Sequence, residues 1–310
     1  MSSDAFHCPV CGESNFTTIR NSCGEFYHQK IVKCSKCSLV SLFRIPSEIY
    51  INKMNAKYWS QNFDFSARII HKAQVISRIK YLEEKFGNLS NIKLLDVGSG
   101  YGMFHEGLIE SGYRNVLYHA IDSDHSCKKT ILKRSGASFS PGLNYCRESD
   151  FDLIICSHIL EHLRDPKSFV RSLLEKTKAC GCIFIEVPNQ DYLYKPDTGA
   201  HLIFFSPTSL RYFLGHNDKV SVVDIQTLGK QIQELSAFFP NDMPKRNRKR
   251  FLVDMIKYYM PFFMKNLIES VIYNINSYRY PQKRIEDSLG LSSYGEDRQW
   301  IRGLIKVNTN

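Results

Sequence analysis

Residues 94–102 read Leu94-Leu95-Asp96-Val97-Gly98-Ser99-Gly100-Tyr101-Gly102. An apolar run ends in glycines at alternate positions, and a second amphipathic run, Met103–Ser111, follows. The first run predicts a buried strand and the second a helix, with the glycines turning the chain between them. Glycine lets backbone amides come close to a ligand and reaches torsions closed to other residues. A ligand held by such a turn sits at the carboxyl end of the strand, beside a helix N-terminus. The dinucleotide fingerprint is Gly-x-Gly-x-x-Gly. Here Met103 occupies the place of its third glycine. Asp96 also stands just before the turn, where its carboxylate would repel a pyrophosphate. The pattern favours a ligand that carries a cationic ammonium group.

Working outward, Val116–Ile121 predicts a second strand that ends in Asp122, 24 residues after Gly98. A carboxylate there can accept hydrogen bonds from both hydroxyls of a ribose. An ammonium and a ribose together describe S-adenosylmethionine (SAM). Gly98, Ser99, Gly100 and Gly102 of the turn, with Asp96, Asp122, Ser123 and Ser157, make up the candidate cofactor set. Further strands are predicted at Ile92–Val97, Ala137–Phe139, Asp152–Cys156, Cys182–Val187 and Val220–Ile225, alternating with helices. This rhythm predicts an α/β fold, a mostly parallel Rossmann-like sheet with helices on both faces. Gly303–Val307 also reads as a strand, and 300–310 is offered as the last strand of that sheet.

These segments resemble the class I SAM-dependent methyltransferases. Within that class the chain is similar to bacterial enzymes of sugar, polysaccharide or natural-product biosynthesis with a cysteine module ahead of the catalytic domain. The resemblance rests on Lys33–Val40, Asp96–Gly102, Phe151–Pro166 and Ile185–Asn189. It implies a methyltransferase that acts on a small-molecule acceptor, a sugar or nucleotide-sugar, at oxygen or carbon. The chain departs from the class pattern between Ile121 and Phe151, where the acid that contacts adenine has no evident counterpart; Asn144 and Asp150 are the nearest options. An Asn-Pro-Pro-aromatic motif is absent after the fourth strand, which weighs against a methyltransferase of DNA or protein amides and amines.

The cysteine module is Cys8-Pro9-Val10-Cys11 followed, after 22 residues, by Cys34-Ser35-Lys36-Cys37. Two such knuckles supply the tetrahedral thiolate set that suits Zn2+. Four protein ligands leave no open position, so Cys8, Cys11, Cys34 and Cys37 predict a structural ion that stabilises a segment too small for its own core. His7, Cys23 and His28 are spare donors.

Methyl transfer from a sulfonium is an in-line displacement, and a hydroxyl acceptor must also lose a proton. Bases are sought at the strand ends. His158, Glu161 and His162 follow the fourth strand, with the two histidines four apart on the expected helix. His201 precedes Phe204-Phe205-Ser206-Pro207, where Ser206 and Pro207 predict a helix start that would hold His201 and a phenylalanine over the mouth of the site. The resembling family has a similar histidine. Tyr192 and Tyr194 read either as stacking platforms or as packing residues.

The chain therefore divides into a zinc module (1–45), a helical linker (46–90), a SAM-binding domain (91–229) and a basic helical insertion (230–299). In the linker, Ala67–Phe86 places Ile69, Ile70, Ala73, Ile76, Ile79, Leu82 and Phe86 near one face. The net charge is +10 and the pI about 9.0. Lys245–Arg250 alone carries five positive charges. This run and the aromatic stretch after it, together 245–278, suit an anionic membrane surface, a helical cap or a homo-oligomer contact. The net charge also keeps an RNA methyltransferase in view, and a non-catalytic SAM-binding scaffold is the third reading. The cysteines are not spaced as a disulfide framework and the N-terminus does not read as a leader, so a cytoplasmic protein is expected.

Overall fold

A computed structural model describes residues 6–21, 29–51, 65–194, 200–232 and 298–309, with only the backbone of 65–71, 73 and 230. Three strands come first: β1 (Phe16–Asn21), β2 (Lys30–Cys34) and β3 (Val40–Leu42). Helix α1 (Phe65–Lys85), β4 (Lys93–Val97), α2 (Met103–Glu110), β5 (Leu117–Ile121), α3 (Lys128–Ile131) and β6 (Ala137–Ser140) follow. The chain continues through β7 (Phe151–Ser157), α4 (Pro166–Lys176), β8 (Thr177–Pro188), β9 (Ile203–Phe204), α5 (Pro207–Gly215), β10 (Val220–Gln231) and β11 (Arg298–Val307).

Seven strands form one sheet in the order β10-β11-β8-β7-β4-β5-β6. β4 pairs in parallel with β5 on one side and β7 on the other, and β5–β6 and β7–β8 are also parallel. Only β11 runs against its neighbours. The chain thus leaves β4 in one direction and later returns to its other side, which opens a crevice at the carboxyl ends of β4, β5 and β7. This is the mostly parallel α/β architecture expected.

The strands read as near-continuous apolar runs because both faces are covered. Alternation divides them between two cores. Leu95, Val97, Ile154, Cys156, Ile183 and Ile185 point into one. Leu94, Leu153, Ile155, Cys182, Phe184 and Leu304 point into the other, with Val75, Ile79 and Leu82 of α1. Among the described side chains α1 therefore buries a Val75–Ile79–Leu82 stripe, while Ile76 is only half-buried. Of the face expected, Ile79 and Leu82 are buried and Phe86 packs against the same core, while the side chains of Ile69, Ile70 and Ala73 lie outside the described residues. Helix α1 packs on α2 at Gly107, where an added Cβ would lie 2.3 Å from Val75 Cγ1.

The strand expected at Gly303–Val307 runs over Arg298–Val307 and lies between β8 and β10. Gln231 at the end of β10 is paired with Arg298 at the start of β11. The basic stretch between them, including 245–278, lies outside the described residues. No helix among the described residues is long and apolar enough to cross a membrane.

A second, antiparallel sheet has the order β1-β2-β3-β9. Its first three strands belong to the N-terminal segment. Its fourth, β9, comes from the loop after β8, so the cysteine module adds its edge to the catalytic half of the chain.

Candidate cofactor and acceptor site

The glycine turn joins β4 to α2. Gly98, Gly100 and Gly102 have φ of 72°, 51° and 71°, values that side chains rarely tolerate. A Cβ at Gly98 would also meet Ile159 Cδ1 at 2.3 Å, whereas one at Gly100 would stand in open space. The middle of the turn is thus a cradle with one open side. Asp122, at the end of β5, accepts hydrogen bonds from the amides of Gly100 (2.7 Å) and Asp124 (2.8 Å), one on each carboxylate oxygen. Each oxygen keeps acceptor capacity, so a pair of ribose hydroxyls can be added. Burial pushes the Asp122 carboxyl up, opposed by those two amides. Ser123 is exposed beside it. Ser157, at the end of β7, has its hydroxyl buried with no hydrogen-bond partner among the described residues. An open glycine cradle, a carboxylate with spare lone pairs and an orphan hydroxyl, all at one sheet edge, fit SAM.

Asp96 has a different first partner from the one the sequence offered. It is 5% exposed and accepts a hydrogen bond from the Tyr118 hydroxyl at 2.6 Å. Burial pushes its carboxyl up to about 7, against the hydrogen bond from Tyr118. Asp150, one option for the adenine contact, precedes β7 at the opposite end of that strand from Ser157. Seven strand residues separate it from the crevice by roughly 20 Å, which removes it. Asn144 lies after β6, in a short turn at the correct edge.

The four acid–base candidates separate into two groups. His158 and His162 do not share a helix face. His158 has φ 58° and only a three-residue 3-10 turn, Leu160–His162, follows, and such a turn does not stack positions four apart. His158 instead lies 3.3 Å from Glu161 Oε1 and 3.2 Å from Glu186 Oε1, edge-on to Trp300. Burial lowers its pKa, but the two carboxylates outweigh this and the net shift is upward.

His162 and His201 do meet, with ring centroids 4.8 Å apart. His201 Nδ1 is 2.7 Å from Asp191 Oδ2. His162 Nδ1 is 3.1 Å from the Ala200 carbonyl, and burial pulls its pKa down to about 4 although Glu161 opposes this. Both hydrogen bonds are made with Nδ1, which leaves each Nε2 as the available lone pair. One donor atom from each of Glu161, His162 and His201 lies within 4.8 Å of the others. Glu161 is 1% exposed and its Oε2 has no partner among the described residues.

The loop before α5 is built as its capping residues require: Ser206 caps the helix and Pro207 opens it. Phe204 and Phe205, however, are fully buried in the core and do not line the mouth. Tyr192 and Tyr194 are buried as well. Tyr192 packs against Phe204, and Tyr194 donates to the Gln299 carbonyl.

Beneath this edge lies a charged network that the sequence reading missed. Glu186 sits between Arg78 of α1 (Nε–Oε1 2.9 Å) and Arg302 of β11 (Nε–Oε2 2.5 Å). Burial pushes the Glu186 carboxyl up, but the two guanidiniums hold it well below the usual range. A signal existed: Glu186 is the only charge in Cys182-Ile183-Phe184-Ile185-Glu186-Val187. Asp191 gave no comparable sign.

In the N-terminal sheet, the Sγ atoms of Cys8, Cys11, Cys34 and Cys37 lie within 4.8 Å of one another. The Cys8–Cys37 and Cys11–Cys34 separations are 3.5 and 3.4 Å. Four thiolates ~2.3 Å from one tetrahedral ion stand ~3.8 Å apart, so the cluster fits Zn2+. His7 contacts the Gly12 carbonyl instead, and Cys23 and His28 lie outside the described residues.

A family model described as "Methyltransferase domain" matches residues 58–235. Among curated proteins, the ubiquinone biosynthesis O-methyltransferase of Hydrogenovibrio crunogenus is 27% identical over 158 residues, 47% of this chain and 62% of that protein. The namesake in Rickettsia felis is 26% identical over 150 residues, 44% of this chain and 59% of that protein. The chain thus spans about three fifths of the length of these relatives. A solved coclaurine N-methyltransferase bound to N-methylheliamine and S-adenosylhomocysteine (SAH) aligns with a TM-score of 0.47 and 16% identity, covering 83% of this chain and 93% of that one.

Proposed function

We propose, from the premise that the chain belongs to the SAM-dependent methyltransferase family, that it methylates a hydroxyl of a small molecule. The observation that carries this is the His162–His201–Glu161 cluster beside the glycine turn, at the edge where a parallel sheet binds its ligands. SAM supplies a methyl group already activated on a sulfonium. The residues of this chain hold the cofactor, align the acceptor and make its proton labile. Gly98, Ser99, Gly100, Gly102, Asp122, Ser123 and Ser157 form the cofactor cradle, with Asp96 and Tyr118 bracing it from below. The acceptor oxygen loses its proton at the histidine cluster, where the hydrogen bonds made at Nδ1 leave the Nε2 atoms of His162 and His201 to face it. Asp191 and the Ala200 carbonyl fix their tautomers. His158 braces Glu161 and Glu186.

A sugar or nucleotide-sugar is the acceptor class that the cysteine module favours. The relatives named for ubiquinone biosynthesis add phenolic hydroxyls. In this reading the four cysteines carry a structural Zn2+, because the closed thiolate set has no position for a substrate.

Calorimetric titration with SAH is the test. Wild type is expected to bind near the micromolar range. Asp122→Ala is expected to weaken binding about tenfold to a hundredfold, the worth of one or two hydrogen bonds to a charged group. A folded wild type that does not bind SAH would end this reading. Binding would justify presenting sugars, nucleotide-sugars and phenols with radiolabelled SAM.

A further inference from the structure

We propose that Glu161, His162 and His201 form a second metal site that holds a divalent cation of the first transition row, with open positions for the acceptor oxygen. The inference rests on the reading of this cluster as the place where the acceptor loses its proton, and it names how the proton is made labile. Two imidazoles and a carboxylate are a donor set for Mn2+, Fe2+, Co2+ or Zn2+, whereas Mg2+ prefers oxygen alone.

Three observations point to an ion. Glu161 is 1% exposed and its Oε2 is buried with no hydrogen-bond partner among the described residues. An ionised carboxylate oxygen left so is costly, and an ion at that oxygen removes the cost. Both imidazoles are engaged at Nδ1, by the Asp191 carboxylate at 2.7 Å and the Ala200 carbonyl at 3.1 Å. A hydrogen bond to carboxylate or carbonyl at the far ring nitrogen is what metal-ligating histidines make. Finally, one donor atom of each residue lies within 4.8 Å of the other two. Ligands ~2.1 Å from one ion stand ~3.0–3.5 Å apart, so side-chain rotations of about an ångström close the set.

Three protein ligands leave positions open, in contrast to the closed cysteine set. An acceptor hydroxyl that ligates there becomes more acidic. Its O–H bond breaks with the proton passing to solvent or a bound hydroxide, and the alkoxide or phenolate oxygen forms the new bond to the methyl group. The methyl–sulfur bond breaks and its electron pair stays on the now neutral thioether. The cation is neither oxidised nor reduced. His162 and His201 act as ligands, not as free bases.

The test counts ions on the full chain. Zinc-replete protein is dialysed against Mn2+, and bound zinc and manganese are measured together by atomic emission, with SAH affinity read on the same samples. Two divalent ions per chain are expected in wild type, and one in Glu161→Gln and in His201→Gln with SAH affinity within about twofold. His201→Gln serves if Glu161→Gln does not fold, because His201 is partly exposed. One ion in wild type, or two in a folded variant, would overturn the cation site. If SAH binds while only one ion is found, methyl transfer stands and the second site falls. If SAH fails to bind while the count still drops from two to one, the second site stands and the methyl-transfer reading falls.

Discussion

His105 is 2% exposed, stacked on Tyr118 with centroids 4.4 Å apart, and its Nδ1 has no partner among the described residues. Burial pulls its pKa down to about 4, and the Arg134 charge adds to this. An unfolded histidine titrates near ~6.5. The unfolded chain therefore takes up this proton first, so the contribution of neutral His105 is complete above pH ~6.5 and is lost as pH falls towards 4. The loss is about 3 kcal/mol. His105→Phe keeps a ring against Tyr118 and removes the proton. Chemical denaturation at pH 7 and pH 4.5 is expected to show a smaller acid loss in the variant, by about 2–3 kcal/mol. An equal loss in both proteins would contradict it. At this scale the sequence was readable where chemistry and position coincide. Asp122 and the glycines end a recognisable strand, and the cysteine spacing stands alone. Tyr118 under Asp96, Asp191 behind His201 and the arginines around Glu186 were not readable, because each pair forms only when distant elements pack.

The element that joins the cysteine module to the site is β9. Val40 pairs with Phe204 and Ser41 with Ile203. The Leu42 amide donates to the Leu202 carbonyl, and the Leu202 amide donates to the Glu161 carbonyl. Residues 202–204 are therefore tied on one side to the module and on the other to the turn that carries Glu161 and His162. His201 is next in line. Loss of the Zn2+ proposed for the cysteine set is expected to leave SAH affinity within about twofold, since the glycine turn is elsewhere. Turnover is expected to fall about a hundredfold, the cost of misplacing a reacting group by about an ångström. Cys8→Ser with Cys37→Ser, kept in Mn2+ with SAH binding and methyl transfer read in parallel, would check this, and equal loss of both would refute it. The module itself was legible as two Cys-x-x-Cys pairs. Its bond to β9 was not, because a two-residue strand carries no periodicity.

Across the whole molecule, the pairing of Gln231 with Arg298 brings both ends of the basic stretch together as neighbours in an antiparallel ladder. Two residues in that relation can be joined by a short hairpin turn. Replacing 232–297 with an Asn-Gly turn is expected to leave a folded protein that binds SAH within about threefold of wild type. Loss of cooperative unfolding would show that the stretch is part of the core. The alternating strands and helices made the parallel sheet legible. The placement of β11 was harder to read, since the strand is recognisable but its position between β8 and β10 depends on contacts made across the chain.

That placement sets an order of events during synthesis. β8 and β10 are not hydrogen-bonded to each other; both are bonded to β11, the latest of the described strands to leave the ribosome. Until it arrives, the edge of β8 has its amides and carbonyls open to any other extended chain. At ~5–20 residues per second, the passage from the end of β8 to β11 lasts several seconds. The nascent protein thus has a window of sticky incompleteness. A trigger-type chaperone that shields β8 during those seconds is expected to raise the yield of soluble protein more than one that acts after release.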